Sequence, residues 1–415
     1  MKINSSFYGL CLLTAIVTAC SQIDDEQPSV SGKTMPLTFR LQTAATQTGT
    51  RSYEGDVAAE DAKESAIGNV NVWLFDNTGT LLDYKDAVDA NTTNQVTLGV
   101  PQEVIDQRQT VDLYILANAD VAGINRATEL SNNMTIGQLK DLKLKGTNFT
   151  PTGNNQLVNF TNLPVSRILQ RQPVVKEEEV AGVPTYTYVG TLGNVKVTRA
   201  VSKIRFAFTK STGLTGAEVL GVQLNGNCIA NEEYLFPIDS LSSPSNYASP
   251  YIGDYYAHIN TQASPRYIAS PLTLGSTDGT TTLYANDAIA ELNEPADMVW
   301  ETWKFANPTL TATDYDRAIV SATTYTNGNT TGNSYKTVYL RESDIQLSGT
   351  IYYRLEAGGA IKSLNFQMSA NEDFARNHEW IVYAYFRSGF PLQVAVVYVT
   401  QWKDGGTTSH DVYNW

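Results

Sequence analysis

Apolar and polar residues alternate along much of the chain, and this alternation is its dominant pattern. The clearest example begins at residue 35, where every second position is large and apolar: Met35, Leu37, Phe39 and Leu41. The same period of two recurs in both halves of the sequence, at 70–75, 111–115, 204–208, 364–368 and 381–385. Because side chains on a β-strand point alternately to opposite faces, the pattern predicts a mainly β protein.

Turns and one short helix complete the predicted elements. Asp76-Asn77-Thr78-Gly79 follows the strand at 70–75, and Asn and Gly tolerate the positive φ of a tight turn. Thr135 precedes Gln138 in the spacing of a capping box, which predicts a helix start. Helical signals are otherwise sparse. We therefore expect an all-β fold with one or two short helices.

The chain divides into two alternating halves. Polar, glycine-containing sequence separates the charged run Lys176–Glu179 from the strand-like residues 195–208, so the predicted boundary lies near Gly193. With 415 residues, of which 42% are hydrophobic, the chain is long enough for two separate cores. Residues 237–250, rich in proline and serine, predict a long exposed loop.

Residues 1–20 predict export. An uncharged, mostly apolar stretch runs from Phe7 to Val17, which suits a signal-peptide core and is too short to span a bilayer as a helix. It ends in Val17-Thr18-Ala19-Cys20, which resembles a lipobox. We therefore expect Cys20 to be acylated in an outer-membrane lipoprotein precursor. The alternative is an ordinary secretory signal in which the cysteine is incidental.

The net charge limits the possible binding partners, and the cysteine count limits the possible disulfides. The sequence has 29 Lys and Arg against 42 Asp and Glu, a formal net charge of -13. Such an acidic chain argues against nucleic acid and anionic membranes, so membrane contact is expected only through the lipid of the precursor. Apart from Cys11 and Cys20 the sequence holds only Cys228, so an intramolecular disulfide in the mature chain is excluded. No role for Cys228 follows from the sequence.

The search for catalytic or metal-binding patterns is negative. His258, His378 and His410 are far apart and lack the spacing of metal ligands. Residues 275–279 place their serine wrongly for a nucleophile elbow, and Asp314-Tyr315-Asp316 lies in polar sequence typical of solvated acids. We therefore expect neither an enzyme nor a cofactor or metal site, with a hydrolase as a remote alternative.

Both ends of the chain carry more informative patterns. Residues 43–55 lack apolar periodicity and contain one basic residue, Arg51, where a trypsin-like protease would find an accessible bond. Residues 392–399 are apolar at nearly every position, and the chain ends in Val412-Tyr413-Asn414-Trp415. Large apolar residues at a terminus promote aggregation when exposed, so this segment predicts a dedicated partner.

Together these features resemble the fimbrillins, subunits of the type V pili of Bacteroidia. The resemblance extends over essentially the whole chain and rests on the order and spacing of several short motifs. Besides the lipobox and the strand before Arg51, these motifs are Val72-Trp73-Leu74-Phe75-Asp76, Leu113-Tyr114-Ile115-Leu116-Ala117-Asn118, Arg199-Ala200-Val201-Ser202-Lys203-Ile204 and Arg376-Asn377-His378-Glu379-Trp380.

The resemblance implies two transthyretin-like β-sandwich domains and assembly at the cell surface into a fimbrium. An arginine-specific protease would cut after Arg51 and leave Ser52 as the mature N-terminus. The removed strand would present Met35, Leu37, Phe39 and Leu41, and the donor strand from a neighbouring subunit would present Leu392, Val394, Val396 and Tyr398. The implied segments are a signal peptide at 1–20, a propeptide at 21–51, domains at 52–192 and 193–391, and a donor segment at 392–415.

Other interpretations of the same sequence stay open. Residues 35–42 would form a permanent edge strand and 392–399 an ordinary core strand if no exchange occurs. The chain would instead be an adhesive tip subunit if aromatic residues bind a host protein or glycan; the candidates are Tyr234, Tyr247, Tyr251, Tyr255 and Tyr256. A third interpretation is a glycan-binding surface lipoprotein that keeps its anchor and never polymerises.

Overall fold

In the computed structural model of the chain, the described residues are 32–43, 66–87, 94–144, 162–211, 213–231, 233–236, 267–292, 335–341, 346–367, 376, 379–387 and 392–399. Strands predominate among them, so the predicted mainly β fold is confirmed. The first strands are β1 (Thr34–Thr43), β2 (Val70–Asp76), β3 (Leu81–Ala87), β4 (Gln95–Pro101), β5 (Thr110–Ala117), β6 (Val165–Pro173), β7 (Val175–Val180), β8 (Val183–Tyr188) and β9 (Thr191–Arg199). Short helices α1 (Gln102–Asp106), α2 (Arg126–Glu129) and α3 (Ile136–Lys140) lie between strands.

The remaining strands follow in the second half of the chain. They are β10 (Ser202–Ser211), β11 (Glu218–Leu224), β12 (Leu272–Gly275), β13 (Ala290–Leu292), β14 (Tyr335–Leu340), β15 (Ser348–Arg354), β16 (Lys362–Gln367), β17 (Glu379–Phe386) and β18 (Gln393–Val399). Single 3-10 turns form at Gly226–Cys228 and Asn286–Ala288.

The first half forms a seven-stranded sheet that folds over on itself. The strand order is β3-β2-β5-β6-β9-β1-β4. Buried side chains of β1, β4 and β9 share one apolar cluster with those of β2, β5 and β6, so the two ends of the sheet face each other as a sandwich. The predicted turn after β2 is present, with Gly79 at a φ of 85°, and α3 begins with the predicted capping box of Thr135 and Gln138.

The second half forms two sheets that pack face to face. One contains β13-β10-β17-β18, with β14 also paired to β10, and the other has the order β12-β11-β15-β16. Residues such as Phe206 and Val382 from the first sheet and Val222 and Ile351 from the second lie in one apolar cluster. Burial of this shared surface is the main favourable contribution to the stability of the half.

The chain passes from one sandwich to the other at Ala200 and Val201, where β9 ends and β10 begins. The sequence predicted one strand-like run over 195–208 and a boundary near Gly193. Gly193 instead lies inside β9 and pairs with Phe39 of β1, and only β10 joins the second set of sheets. Its φ of 69° requires a glycine-like conformation within the strand, which explains the misleading linker signal. The division into folding domains stays a prediction.

A third apolar cluster joins the two halves. The outer faces of β2 and β5, with Trp73 and Tyr114, are covered by Leu235 and Phe236 from the second half. The rings of Tyr114 and Phe236 meet edge to face, with 5.5 Å between their centroids. Because β2 is covered on both faces, its six residues from Val70 to Phe75 are all buried, which accounts for the apolar residues on both faces from Val72 to Phe75.

Buried polar contacts fix the segment 233–236 at this junction. The Ser166 hydroxyl donates a hydrogen bond of 2.6 Å to the carbonyl of Leu235, and the Arg376 guanidinium donates to the carbonyls of Tyr234 and Leu235 at 2.7 and 3.0 Å. Arg376 also pairs with the carboxylate of Glu233 at 3.3 Å, and the side chains are only 7% and 0% exposed. One arginine therefore neutralises a buried acid and satisfies backbone carbonyls at the junction.

Among the described residues, no helix has the length and apolar content needed to cross a membrane.

Replacing Arg376 with Met is expected to lower the free energy of unfolding by about 3–5 kcal/mol, because the Glu233 carboxylate is left buried without its partner. Urea denaturation would measure the loss. The matched control is Arg354→Met. Arg354 pairs with Glu218 at 3.5 Å, and the two side chains are 19% and 21% exposed, so water screens this pair more than the buried one and a loss of about 1 kcal/mol or less is expected. Equal losses in the two variants would contradict the role assigned to Arg376.

Candidate functional site

Strand β1 lies inside the first sheet, between two strands from later parts of the chain. On one side it pairs antiparallel with β4 over Thr34 to Arg40. On the other side it pairs parallel with β9, from Thr38 to Thr43. Without β1, β4 and β9 would face each other across a gap one strand wide with their hydrogen-bonding groups unpaired, which is the geometry of a strand-binding slot.

The alternation predicted for this strand is present. Leu37, Phe39 and Leu41 point into the sandwich and are 0%, 1% and 1% exposed, whereas Pro36 and Arg40 are exposed. Met35 lies at the rim and is only half-buried. Three of the four predicted apolar positions are therefore fully enclosed, and β1 is not the edge strand of the alternative interpretation.

The backbone amides of β1 donate hydrogen bonds alternately to the two sides of the slot, and the β9 side begins only at Thr38. The amide of Thr38 donates to the carbonyl of Gly190 at 3.0 Å, on the side of β9. The amide of Leu41 donates to the backbone carbonyl of Asn94 at 2.8 Å, on the side of β4. Pro36 precedes Thr38 by two positions, so its nitrogen faces the side where β9 has not yet begun. A proline, which has no amide hydrogen, is tolerated there and not further along the strand.

The hairpin of β7 and β8 starts at the entrance of the slot. The Tyr188 hydroxyl donates to the carbonyl of Met35 at 3.2 Å, and burial raises the pKa of this phenol. Ala181 and Gly182 form the hairpin turn with φ values of 52° and 81°, which is typical of a type I′ two-residue loop. The sequence analysis treated the charged run 176–179 as the end of a domain and missed the hairpin; the turn pair Ala181-Gly182 was the available signal.

The predicted donor strand is placed in the second half. Gln393–Val399 forms β18, which pairs antiparallel with β17 and has no second partner strand among those described. Val394 and Val396 are the register partners of Ala384 and Val382, two buried core residues. Leu392 is buried, and its amide donates to the Tyr353 hydroxyl at 3.3 Å. The displaced and donor strands therefore occupy separate sheets of this chain.

Several residues singled out in the sequence lie outside the described residues: Cys20, Arg51, Ser52, His258, His378, His410 and the end of the donor segment, 400–415. Within the described part of the chain, no cluster of His, Cys, Asp and Glu side chains could hold a metal ion. The predictions for the residues outside it are unchanged.

Two residues have a clearer role in the structure than in the sequence. Tyr234, considered as part of an exposed adhesive surface, is 8% exposed and lies under the ammonium of Lys143, 4.9 Å from the ring centroid. The thiol of Cys228 is buried and donates to the carbonyl of Asn225 at 2.8 Å. Burial raises the pKa of this thiol, so it remains protonated and serves in packing.

The fold defines a class of protein: a β-sandwich protein whose distinctive feature is a slot filled by its own first strand. Residues 35–215 match the family model described as "Major fimbrial subunit protein (FimA)". The matched region begins within β1 and includes every strand of the first sheet. Over this region the chain is therefore similar to the fimbrillin family of fimbrial subunits, in agreement with the resemblance seen in the sequence.

The solved structures to which the chain is similar have low sequence identity to it. The C-terminally truncated tip fimbrial protein Mfa3 from Porphyromonas gingivalis is 12% identical, with 87% of this chain and 99% of that one covered and a TM-score of 0.43. A cell adhesion protein and a fimbrial assembly protein from Parabacteroides distasonis are 13% and 11% identical. The alignments cover 91% and 88% of this chain, 99% and 96% of those chains, with TM-scores of 0.46 and 0.41. No curated protein matches the chain.

Replacing Thr38 with Pro is expected to destabilise the protein by about 3 kcal/mol or more, because it removes the hydrogen bond to Gly190 in the interior of the sheet. The replacement Pro36→Ala, two residues earlier, is expected to change stability by less than about 1 kcal/mol. Urea denaturation of the full chain would compare them. A stable Thr38→Pro variant would mean that the β9 side of β1 contributes little to holding the strand.

Proposed function

We propose that the chain is a structural fimbrial subunit, exported as a lipoprotein, cut after Arg51 and polymerised by strand exchange. The observation that carries the proposal is the interior position of β1. A strand that comes first in the chain but lies between two later strands is enclosed on both sides, while only residues 44–69 connect it to β2. Cleavage in that connection separates β1 from the rest of the chain without cutting any of the other described strands.

The position of Arg51 gives the cleavage two consequences. It follows β1, so the released fragment contains both the strand and Cys20. A single cut therefore removes the lipid anchor and frees the slot, and the mature chain begins at Ser52. Before the cut, β1 blocks the slot and prevents premature assembly in the cell envelope.

The energetics of exchange follow from burial. Enclosing Leu37, Phe39 and Leu41 at roughly 1.5–3 kcal/mol each gives about 4.5–9 kcal/mol, from which the ordering of the strand must be subtracted. A replacement strand must offer comparable side chains at the same spacing. Leu392, Val394, Val396 and Tyr398 supply them, and backbone pairing to both walls of the slot adds to the junction.

The present location of the donor strand is compatible with its release. Among the described strands β18 has one neighbour, β17, so leaving its sheet breaks one ladder, whereas filling the slot forms two. Leaving also uncovers the core positions paired with Val394 and Val396. The net driving force is therefore a difference between two burials, and residues 400–415 would extend the new contact. The partners in this scheme are neighbouring subunits and an arginine-specific protease.

Replacing Arg51 with Ala is expected to abolish assembly. After treatment with an arginine-specific protease, the wild-type precursor should yield Ser52 at its N-terminus and form polymers, seen by size-exclusion chromatography and electron microscopy. The Arg51→Ala precursor should remain monomeric with β1 attached. Arg40→Ala is the matched control, because Arg40 is exposed on the strand that is removed; it should assemble normally. Wild-type precursor that stays uncut and monomeric would favour a glycan-binding protein that keeps its anchor, and protein that is cut but stays monomeric would contradict polymerisation by strand exchange.

A synthetic peptide of residues 392–415, added to freshly cut wild-type protein, is expected to fill the slot and block polymer growth. The peptide with Val396→Asp should be weaker by on the order of 100-fold, because it buries an unpaired carboxylate. The peptide with Gln393→Glu should block as well as the native one, since residue 393 has the opposite orientation along the strand. Light scattering would follow polymer growth, and equal potency of all three peptides would exclude this strand as the donor.

A further inference from the structure

The hairpin of β7 and β8 is the most exposed element of the described structure. The two strands pair only with each other, and most of their side chains are exposed. Six residues in each strand correspond to a length of about 20 Å, so the tip stands well away from the entrance of the slot. A two-stranded hairpin has little stability by itself and usually requires a partner surface.

The tip of the hairpin is apolar on one face. Val180 and Val183 are register partners and therefore lie side by side; they are 57% and 62% exposed. Glu178, two positions before Val180, lies on the same face, and its exposed carboxylate forms a surface ion pair with Lys176 at 2.7 Å. The other face is occupied within the subunit, since the Arg108 guanidinium stacks 3.4 Å from the ring centroid of Tyr186.

The second half carries a small surface with matching properties. Large exposed hydrophobic residues in the described part of the chain are confined to the hairpin and to Ile361, which is 39% exposed. The exposed Lys362 follows it, at the start of edge strand β16. We define Ile361 and Lys362 as the β16 corner. The apolar side chain of Ile361 and the cation of Lys362 complement a hairpin face that carries two valines and the exposed Glu178, and the exposed Glu356 lies on the turn before this corner.

Each surface belongs to an element that has one end at the proposed junction. Tyr188 lies at the base of the hairpin, where its hydroxyl contacts Met35 at the entrance of the slot. The donor segment starts at Leu392, whose amide contacts Tyr353, and Tyr353 is the register partner of Lys362. If the donor enters in the direction of β1, Leu392 takes the position of Met35. The β16 corner of the donating subunit is then carried toward the hairpin of the accepting subunit.

We propose that the β7–β8 hairpin docks on the β16 corner of the neighbouring copy in the polymer, as a second contact beside the exchanged strand. The proposal rests on the strand-exchange function above. It requires the donor strand to run in the direction of β1, parallel to β9 and antiparallel to β4. The contact would orient successive subunits, because one strand in a slot leaves rotation about that strand weakly fixed.

Cysteine crosslinking tests the contact directly. Precursors carrying Val183→Cys and Ile361→Cys are mixed, cut with the arginine-specific protease and oxidised under mild conditions. We expect a disulfide-linked pair of subunits only in the cut mixture of both variants. The native Cys228 is 1% exposed and does not interfere. The control pair is Thr128→Cys with Ile361→Cys, because Thr128 is exposed on the same half as the hairpin but lies on α2.

A charge substitution separates this contact from the strand exchange itself. Val183→Asp is expected to weaken subunit association about tenfold, while the 392–415 peptide should block the variant's slot as well as it blocks the wild type. Polymers that assemble normally without the Val183–Ile361 crosslink would overturn the hairpin contact and leave strand exchange intact. Failure of both polymer growth and peptide binding would overturn strand exchange, and the hairpin contact with it.

Discussion

The enclosure of β1 between β4 and β9 is the constraint on which the first half of the molecule depends. Leu37, Phe39 and Leu41 fill the centre of a sandwich whose two layers are ends of one folded sheet. In the described sheet β4 forms its ladder with β1, so β1 provides the hydrogen-bonded link between β4 and the other strands, and β9 joins β6 through two residue pairs. Any process that removes this strand must supply another, since the open slot would combine exposed apolar surface with unpaired backbone.

Much of the strand content could be predicted from the sequence, because alternation is a local property. The exact alternation at 35–41 led directly to the enclosed face of β1, and the spacing of Thr135 and Gln138 to the start of α3. The order of strands could not be predicted in this way. That β1 lies between β4 and β9 results from contacts between residues more than 50 positions apart, such as Phe39 with Val96 and Gly193.

Two linker signals in the sequence have different physical causes: the φ of 69° at Gly193 and the solvent exposure of the hairpin strand that contains 176–179. Gly193 and the charged run 176–179 both suggested a linker, and both lie in strands. An exposed hairpin buries little, so its composition follows solvent exposure rather than strand geometry. Tyr234 illustrates the reverse case, since this polar aromatic residue in loop-like sequence is enclosed where the two halves meet. Its carbonyl accepts a hydrogen bond from Arg376, and the carbonyl of Leu235 accepts hydrogen bonds from Arg376 and Ser166.

The short passage from β9 to β10 through Ala200 and Val201 has a mechanical consequence. In a fibre under tension, load from the second half would enter the first half along β9, which forms one wall of the slot. The strand in the slot would then be pulled lengthwise, so that its hydrogen bonds share the force and fail together rather than in succession. The arrangement that makes β1 hard to remove from the fold would in this way make a filled junction resistant to shear.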